Sequence, residues 1–212
     1  MKPIYITFTG ACYSGKTTSI RIAKSILESE GFNVYEFSEL IRECNIASID
    51  DVRNDPDKYM EVQDSIIRGK IQMEKDFKHK MFEKKTVMLI DRAVTDSLFY
   101  LTFYTHKNGL DKAHQEMFFS LFDFLNNYLD NCTDIYDYVF EFAPLENKTE
   151  KDDFRPQNIS KMQIIEYEMI KKYNDLYFAK IGERYKKIDL NNVNIDEMEI
   201  FWKKYFKENG II

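Results

Sequence analysis

The sequence predicts a three-layer α/β/α fold on a five-stranded parallel sheet, and three features of the chain point to it. Short β-branched or aromatic runs alternate with longer segments whose apolar residues recur at helical spacing. That alternation pairs strands in parallel and puts helices on both faces of the sheet. The run Val87 to Ile90 is apolar at every position rather than every second one, as a strand covered on both sides should be. A glycine-bounded turn, Gly10 to Gly15, joins the first such run directly to the first helical pattern.

Taken in order, Ile4 to Phe8 is the first expected strand. Ile20, Ala23, Ile26 and Leu27 then mark the inner face of a helix that Gly31 stops. Val34 to Phe37 is the second strand. The span 57–85 reads as a charged helical insertion whose Lys70 to Lys85 part is a solvated face over Ile67, Ile71, Phe77 and Met81. Thr86 to Asp91 is the third strand, and an aromatic-rich helix around His114 to Asp130 precedes the fourth, Tyr136 to Phe142. A helix from about Ile159 to Ile181, a fifth strand at Tyr185 to Leu190 and a last helix over about Asp196 to Glu208 complete the pattern. The stretch 144–158 is polar and aperiodic, and it follows the fourth strand. Loops at the carboxyl ends of such strands are where ligands bind, so this one is the expected lid. The aromatic clusters Phe99 to Tyr104 and Phe118 to Phe124 read as core or as the face of a homodimer. With Pro 4, Gly 7 and no internal repeat, the chain offers no flexible linker, and a single domain over 1–212 is expected.

Composition excludes several classes. Hydrophobic residues at 44% and charged residues at 31% rule out wholesale disorder. A net charge of -6 argues against gripping nucleic acid by bulk electrostatics, leaving only a local basic groove for that purpose. Cys12, Cys44 and Cys132 are an odd number without a CxxC pair, which fits a reducing cytosol and small apolar fillers. The apolar start at Ile4 meets Gly10 and Lys16 too early for a secretory signal, and no apolar run approaches the ~18 residues that span a bilayer. A cytoplasmic protein without a membrane segment is expected. His79, His106 and His114 lack the spacing of histidine metal ligands.

The segment Gly10-Ala11-Cys12-Tyr13-Ser14-Gly15-Lys16-Thr17 matches GxxxxGK[ST] in full. Its glycines let successive backbone N–H groups wrap a phosphate without Cβ collisions, and the following helix adds the positive end of its dipole. In such a P-loop the lysine reaches the β- and γ-phosphates and the hydroxyl coordinates Mg2+. Gly10, Ser14, Gly15, Lys16, Thr17 and Thr18 are therefore the expected donor-phosphate residues. Asp91 closes the apolar third strand, where a carboxylate joins Thr17 as a Mg2+ ligand. Arg92, directly after it, is either a cation for the phosphate being transferred or an exposed arginine at a helix start. No NKxD-type guanine reader and no DxxG follow, and 212 residues leave little room for motor or AAA-type machinery.

Asp91-Arg92-Ala93-Val94-Thr95-Asp96 with Tyr100 resembles the DR element of the P-loop kinase family that contains nicotinamide riboside kinase-like domains and related phage and bacterial small-molecule kinases. It is also similar, in the same register, to the DR stretch of thymidylate kinases. Glu39-Leu40-Ile41-Arg42 resembles the ExxR element of the first family, where thymidylate kinases show an Arg-Glu-Pro-Gly type of sequence. Asp153-Phe154-Arg155-Pro156 looks like its lid segment, with Phe154 in the place of a glycine. The resemblance is scattered from Gly10 to Arg155, and no motif lies beyond Pro156.

The resemblance implies a nucleoside- or nucleotide-kinase-like enzyme using ATP and Mg2+ to phosphorylate a nucleoside, nucleotide or related ribosylated small molecule. Lys16, Asp91, Arg92, Glu39 and the lid's Arg155 are the expected catalytic residues, and Glu39, Arg42 and Asp96 the expected acceptor-side ones. Glu39 either takes the acceptor proton or orients a sugar hydroxyl, Asp96 is the alternative base or a ligand of the acceptor hydroxyl, and Arg42 either binds an acceptor phosphate or pairs with Glu39. The alternatives are a kinase acting on a polynucleotide or a modified base in DNA, and a regulatory protein that binds nucleoside triphosphate without turnover.

Overall fold

The computed structural model describes residues 1–37, 44, 52, 54–108, 111–132, 135–145 and 160–212. Its strands are β1 (Ile4–Gly10), β2 (Asn33–Phe37), β3 (Thr86–Asp91), β4 (Tyr138–Phe142) and β5 (Tyr185–Ile188). Its helices are α1 (Lys16–Ser29), α2 (Pro56–Lys78), α3 (Asp96–Asn108), α4 (Lys112–Cys132), α5 (Ser160–Phe178) and α6 (Ile195–Glu208). The strands form one parallel sheet in the order β2-β3-β1-β4-β5. Register sets Phe8 opposite Asp91 and Gly10 opposite Phe142, so the first strand leads into its loop between the ends of β3 and β4.

The alternation of strand side chains divides the core in two. Ile6, Phe8, Val87, Leu89, Phe140 and Phe142 face α1 and α6, where Trp202 and Phe206 are fully buried. Tyr5, Met88, Ile90 and Val139 face the opposite layer with Ile67 and Ile71 of α2, Leu98 of α3 and Leu125 of α4. The second layer also takes the polar positions of the central strands, Thr9 and Glu141, both fully buried.

Several boundaries differ from the sequence expectation, each for a local reason. Helix α2 starts with Asp55 capping the Lys58 N–H and Pro56 in the first turn, but it stops at Lys78 rather than running to residue 85. The chain then turns back, so that Phe82 bonds Met1 by its N–H and stacks with Phe77. Met81, expected to be inward-facing, is exposed, whereas Lys70 and Glu74, assigned to a solvated face, are buried. Helix α3 was not expected as a separate helix, because its run of aromatic and apolar residues lacks polar contrast; Leu98, Phe99 and Leu101 are buried. Helix α5 gives way at Ala179 to a 3₁₀ turn through Arg184, where Gly182 has φ 62. The fourth strand begins at Tyr138 rather than Tyr136, whose hydroxyl is buried in the helical layer, and the fifth ends at Ile188. Among the described residues no helix is long and apolar enough to cross a membrane.

Candidate active site

The site is built at the carboxyl ends of the central strands. Gly10 has φ 127, and a Cβ there would stand 2.4 Å from the Phe142 carbonyl oxygen, so only glycine can leave β1 beside β4. Gly15 has φ 84 and precedes α1, whose first turn has no side-chain cap. That leaves its leading N–H groups turned to the loop without a side-chain acceptor. Lys16 is buried, and its Nζ donates to Gly10 O at 3.0 Å, Ala11 O at 2.6 Å and Ser14 Oγ at 3.1 Å. Burial lowers its pKa, with Arg92 adding to the effect and Asp91, Cys12 and Glu166 opposing it.

Arg92 reaches the same loop from β3. It is buried, has φ 72, and its N–H donates to Phe8 O at 2.8 Å, continuing the strand pairing one step beyond Asp91. A left-handed conformation at a non-glycine residue costs about 1–3 kcal/mol, which the surrounding contacts hold in place. The guanidinium donates to Gly10 O at 3.3 Å and to Cys12 Sγ at 3.4 Å. It lies 3.6 Å from Asp96 Oδ2, 3.6 Å from Glu166 Oε1 and 5.2 Å above the Tyr100 ring. The exposed helix-start alternative for Arg92 is therefore excluded. Asp96 is buried in the first turn of α3 and accepts from the Thr9 hydroxyl. Burial raises its pKa to about 6, although Arg92, Thr9, Lys70 and Lys16 all favour the ionised form.

Behind these groups stands a set of polar residues that the sequence reading missed. Lys70 crosses from α2 to donate to Asp91 O at 3.2 Å; burial lowers its pKa, while Asp96, Glu74 and Asp91 oppose that shift. Glu74, one turn further, accepts from Tyr128 at 2.8 Å and from Tyr136. From α5, Gln163 donates to Cys12 O at 2.7 Å and Glu166 accepts from Tyr100 at 2.7 Å. Asn174 donates to Thr9 and to Glu141 at 3.2 and 2.9 Å and accepts from Thr95 at 2.7 Å. A signal existed for all of them. Lys70 and Glu74 fall on the same stripe as Ile67 and Ile71, and Gln163, Glu166 and Asn174 on that of Ile170 and Phe178, so charged or amide residues occupy core-facing helix positions.

Of the residues picked out in the sequence, Gly10, Ser14, Gly15, Lys16, Asp91, Arg92 and Asp96 converge on this one region, with Thr17 and Thr18 in the first turn of α1. Cys12, expected as an apolar filler, has its Sγ against Arg92 and 3.5 Å from Glu166 Oε1. Glu39, Arg42 and Arg155, and most of the expected lid, lie outside the described residues.

No protein-family model and no curated protein sequence matches the chain. Solved structures do. A NadR protein in complex with NR superposes with TM-score 0.64 at 18% identity, covering 98% of this chain and 52% of that one. The chain thus spans about half the length of the NadR chain. Thymidylate kinase from Candida albicans matches with TM-score 0.52 at 12% identity, covering 99% of this chain and 93% of that one. At these identities the likeness shows the fold alone, an α/β fold on a five-stranded parallel sheet that the chain shares with these two proteins.

Proposed function

We propose that the chain is a phosphotransferase that moves the terminal phosphoryl group of ATP to a hydroxyl or phosphate of a nucleoside, nucleotide or related ribosylated small molecule. One observation carries this reading. Lys16, from the loop, and Arg92, from the end of β3, donate to the same Gly10 carbonyl oxygen, so two cations from different elements meet at the loop's mouth. A protein that only held nucleotide would need the first cation; the second serves charge that builds up as the phosphoryl group moves.

In this reading the Gly10 to Gly15 backbone, Ser14, Lys16, Thr17 and Thr18 hold the donor phosphates, and Arg92 stabilises the transferred group. Thr17 and Asp91 would hold Mg2+. A hydroxyl and a carboxylate are the hard oxygen donors it prefers, and Asp91 is near enough for its charge to act on Lys16. When bound, the ion neutralises charge on the donor phosphates. Asp96, carried on the helix that follows Arg92, is suited to take the proton of an acceptor hydroxyl, as is Glu39. Arg42 would meet an acceptor phosphate, and Arg155 would close the lid so that the acceptor outcompetes water. The likeness to a NadR solved with NR and to a thymidylate kinase described as of broad substrate specificity supports a nucleoside-like acceptor. The cysteine pattern supports a cytoplasmic setting.

The test is ADP release from Mg·ATP against nucleosides, nucleoside monophosphates and nicotinamide riboside. One acceptor is expected to raise turnover well above the acceptor-free rate, and its class decides between hydroxyl and phosphate. ATP binding without turnover on the whole panel, oligonucleotides included, would leave only a regulatory nucleotide binder.

A further inference from the structure

Helix α5 brings one more carboxylate to the arginine of this site. We propose that Glu166 is a positioning residue that competes with the nucleotide's phosphates for Arg92 and so weakens triphosphate binding; this rests on the phosphotransferase reading above.

The placement of Glu166 is specific. Its side chain is 9% exposed, and one oxygen, Oε1, accepts from the Tyr100 hydroxyl at 2.7 Å and from Cys12 Sγ at 3.5 Å while lying 3.6 Å from Arg92 Nη1. Tyr100 supports both partners, since its ring carries the Arg92 guanidinium on its face. Gln163, three residues earlier on the same helix face, holds the Cys12 carbonyl, which ties the height of Glu166 on α5 to the phosphate loop. The carboxylate is thus fixed by neutral donors on α3 and in the loop, independently of the arginine.

Its relation to Arg92 is that of a rival anion rather than a structural clamp. Strong arginine–carboxylate pairs form two parallel hydrogen bonds at about 2.7–2.9 Å. Arg92 meets Glu166 and Asp96 at 3.6 Å each, close enough for attraction and too far for that fork. Asp96 already supplies one counter-charge, so a second carboxylate in the same buried pocket is not needed to neutralise the guanidinium. A phosphate presenting its oxygens at hydrogen-bond distance outbids Glu166 for Arg92, but the attraction to Glu166 must first be given up. The expected consequence is a triphosphate site held below its attainable affinity.

The experiment is calorimetric titration of wild-type protein, Glu166→Gln, Arg92→Met and the double variant with a β,γ-imido analogue of ATP, and with adenosine. Glu166→Gln keeps an acceptor for Tyr100 and removes the charge. It is expected to bind the analogue about 2- to 150-fold more tightly, the range of coupling between contacting residues, with adenosine unchanged. In the Arg92→Met background the same substitution is expected to give no gain. Unchanged or weaker binding by Glu166→Gln overturns the proposal, and so does a gain that persists without Arg92, which would be direct repulsion of the phosphates. If Glu166→Gln does not fold, Glu166→Asp draws the carboxylate back from Arg92 and is expected to tighten binding in the same sense. Wild-type protein that binds no nucleotide overturns the phosphotransferase reading itself, whereas nucleotide binding indifferent to Glu166 overturns only the competition.

Discussion

Asp96 shows how one residue's surroundings set its chemistry. Burial raises its pKa to about 6, while Thr9 and Arg92 keep the ionised form within reach at neutral pH, which is where a general base is most useful. If it takes the acceptor proton, kcat/KM rises with pH through a limb near 6, and Asp96→Asn lowers kcat by about 10²- to 10⁴-fold. A flat profile across that range would assign the role elsewhere. Lys16 gives a different expectation. Burial disfavours its charged form, so the fold gains little from it, and its three hydrogen bonds all fall within the loop. Lys16→Ala is expected to cut ADP release at least about 100-fold while stability stays within about 1 kcal/mol of wild type. Turnover like that of wild type, measured with the true acceptor, would remove the phosphotransferase reading.

At the scale of elements, polar side chains tie the second helical layer to the sheet. Asn174 joins α5 to β1 through Thr9, to β4 through Glu141 and to the loop before α3 through Thr95. Asn174→Ala leaves the Thr95 hydroxyl and the Glu141 carboxylate short of a buried partner, and about 2–4 kcal/mol of stability is expected to go with it in urea unfolding. Lys187→Ala, which breaks the exposed pair with Asp175 at 2.8 Å, is expected to cost about 1 kcal/mol or less. Similar losses from the two variants would show that the buried network carries no special weight. The same contrast explains what could be read from the sequence. Thr86–Asp91 was located to the residue because Val87 to Ile90 are apolar without a break up to the carboxylate, and the loop because its glycines stand at the GxxxxGK[ST] spacing and both take positive φ, with Arg92 directly after the strand-end carboxylate. Helix α3 was missed because its core-facing and outward residues are alike in polarity, and Lys70, Glu74 and Glu166 because a charged residue on an apolar stripe reads as surface until its partners are known. Those partners, Asp91 O, Tyr128, Tyr136 and Tyr100, come from other elements, and helical spacing within one segment contains no information about them.

For the molecule as a whole, the buried carboxylates set the sense of the pH dependence. Glu74, Asp96 and Glu141, with the half-buried Asp137, all have pKa values raised chiefly by burial. A folded state with raised carboxylate pKa values binds more protons than the unfolded chain between the ordinary carboxylate range and the raised values, so stability falls as pH rises through that window. His114 acts in the same sense. Its ring nitrogens lie 2.8 Å from Asp111 and 3.0 Å from Asp57, bridging the starts of α4 and α2, and these bonds raise its pKa above 6.5. The stabilisation it gives is fully present below about 6.5 and lost as pH rises through the folded-state value. The lowered pKa of Asp111 and of Asp175 works the other way, but only at and below the ordinary aspartate value of 3.8, outside this pH range. The net charge of -6 adds self-repulsion that also relaxes on mild acidification. The urea midpoint is therefore expected to be higher at pH 5.5 than at pH 7.5, with Asp96→Asn flattening the lower part of the slope and His114→Gln the upper part. A midpoint that rises with pH across this interval would mean that the buried carboxylates are held ionised by their partners, Tyr136 for Glu74, Arg92 for Asp96 and Tyr185 for Glu141 foremost, more strongly than burial opposes it.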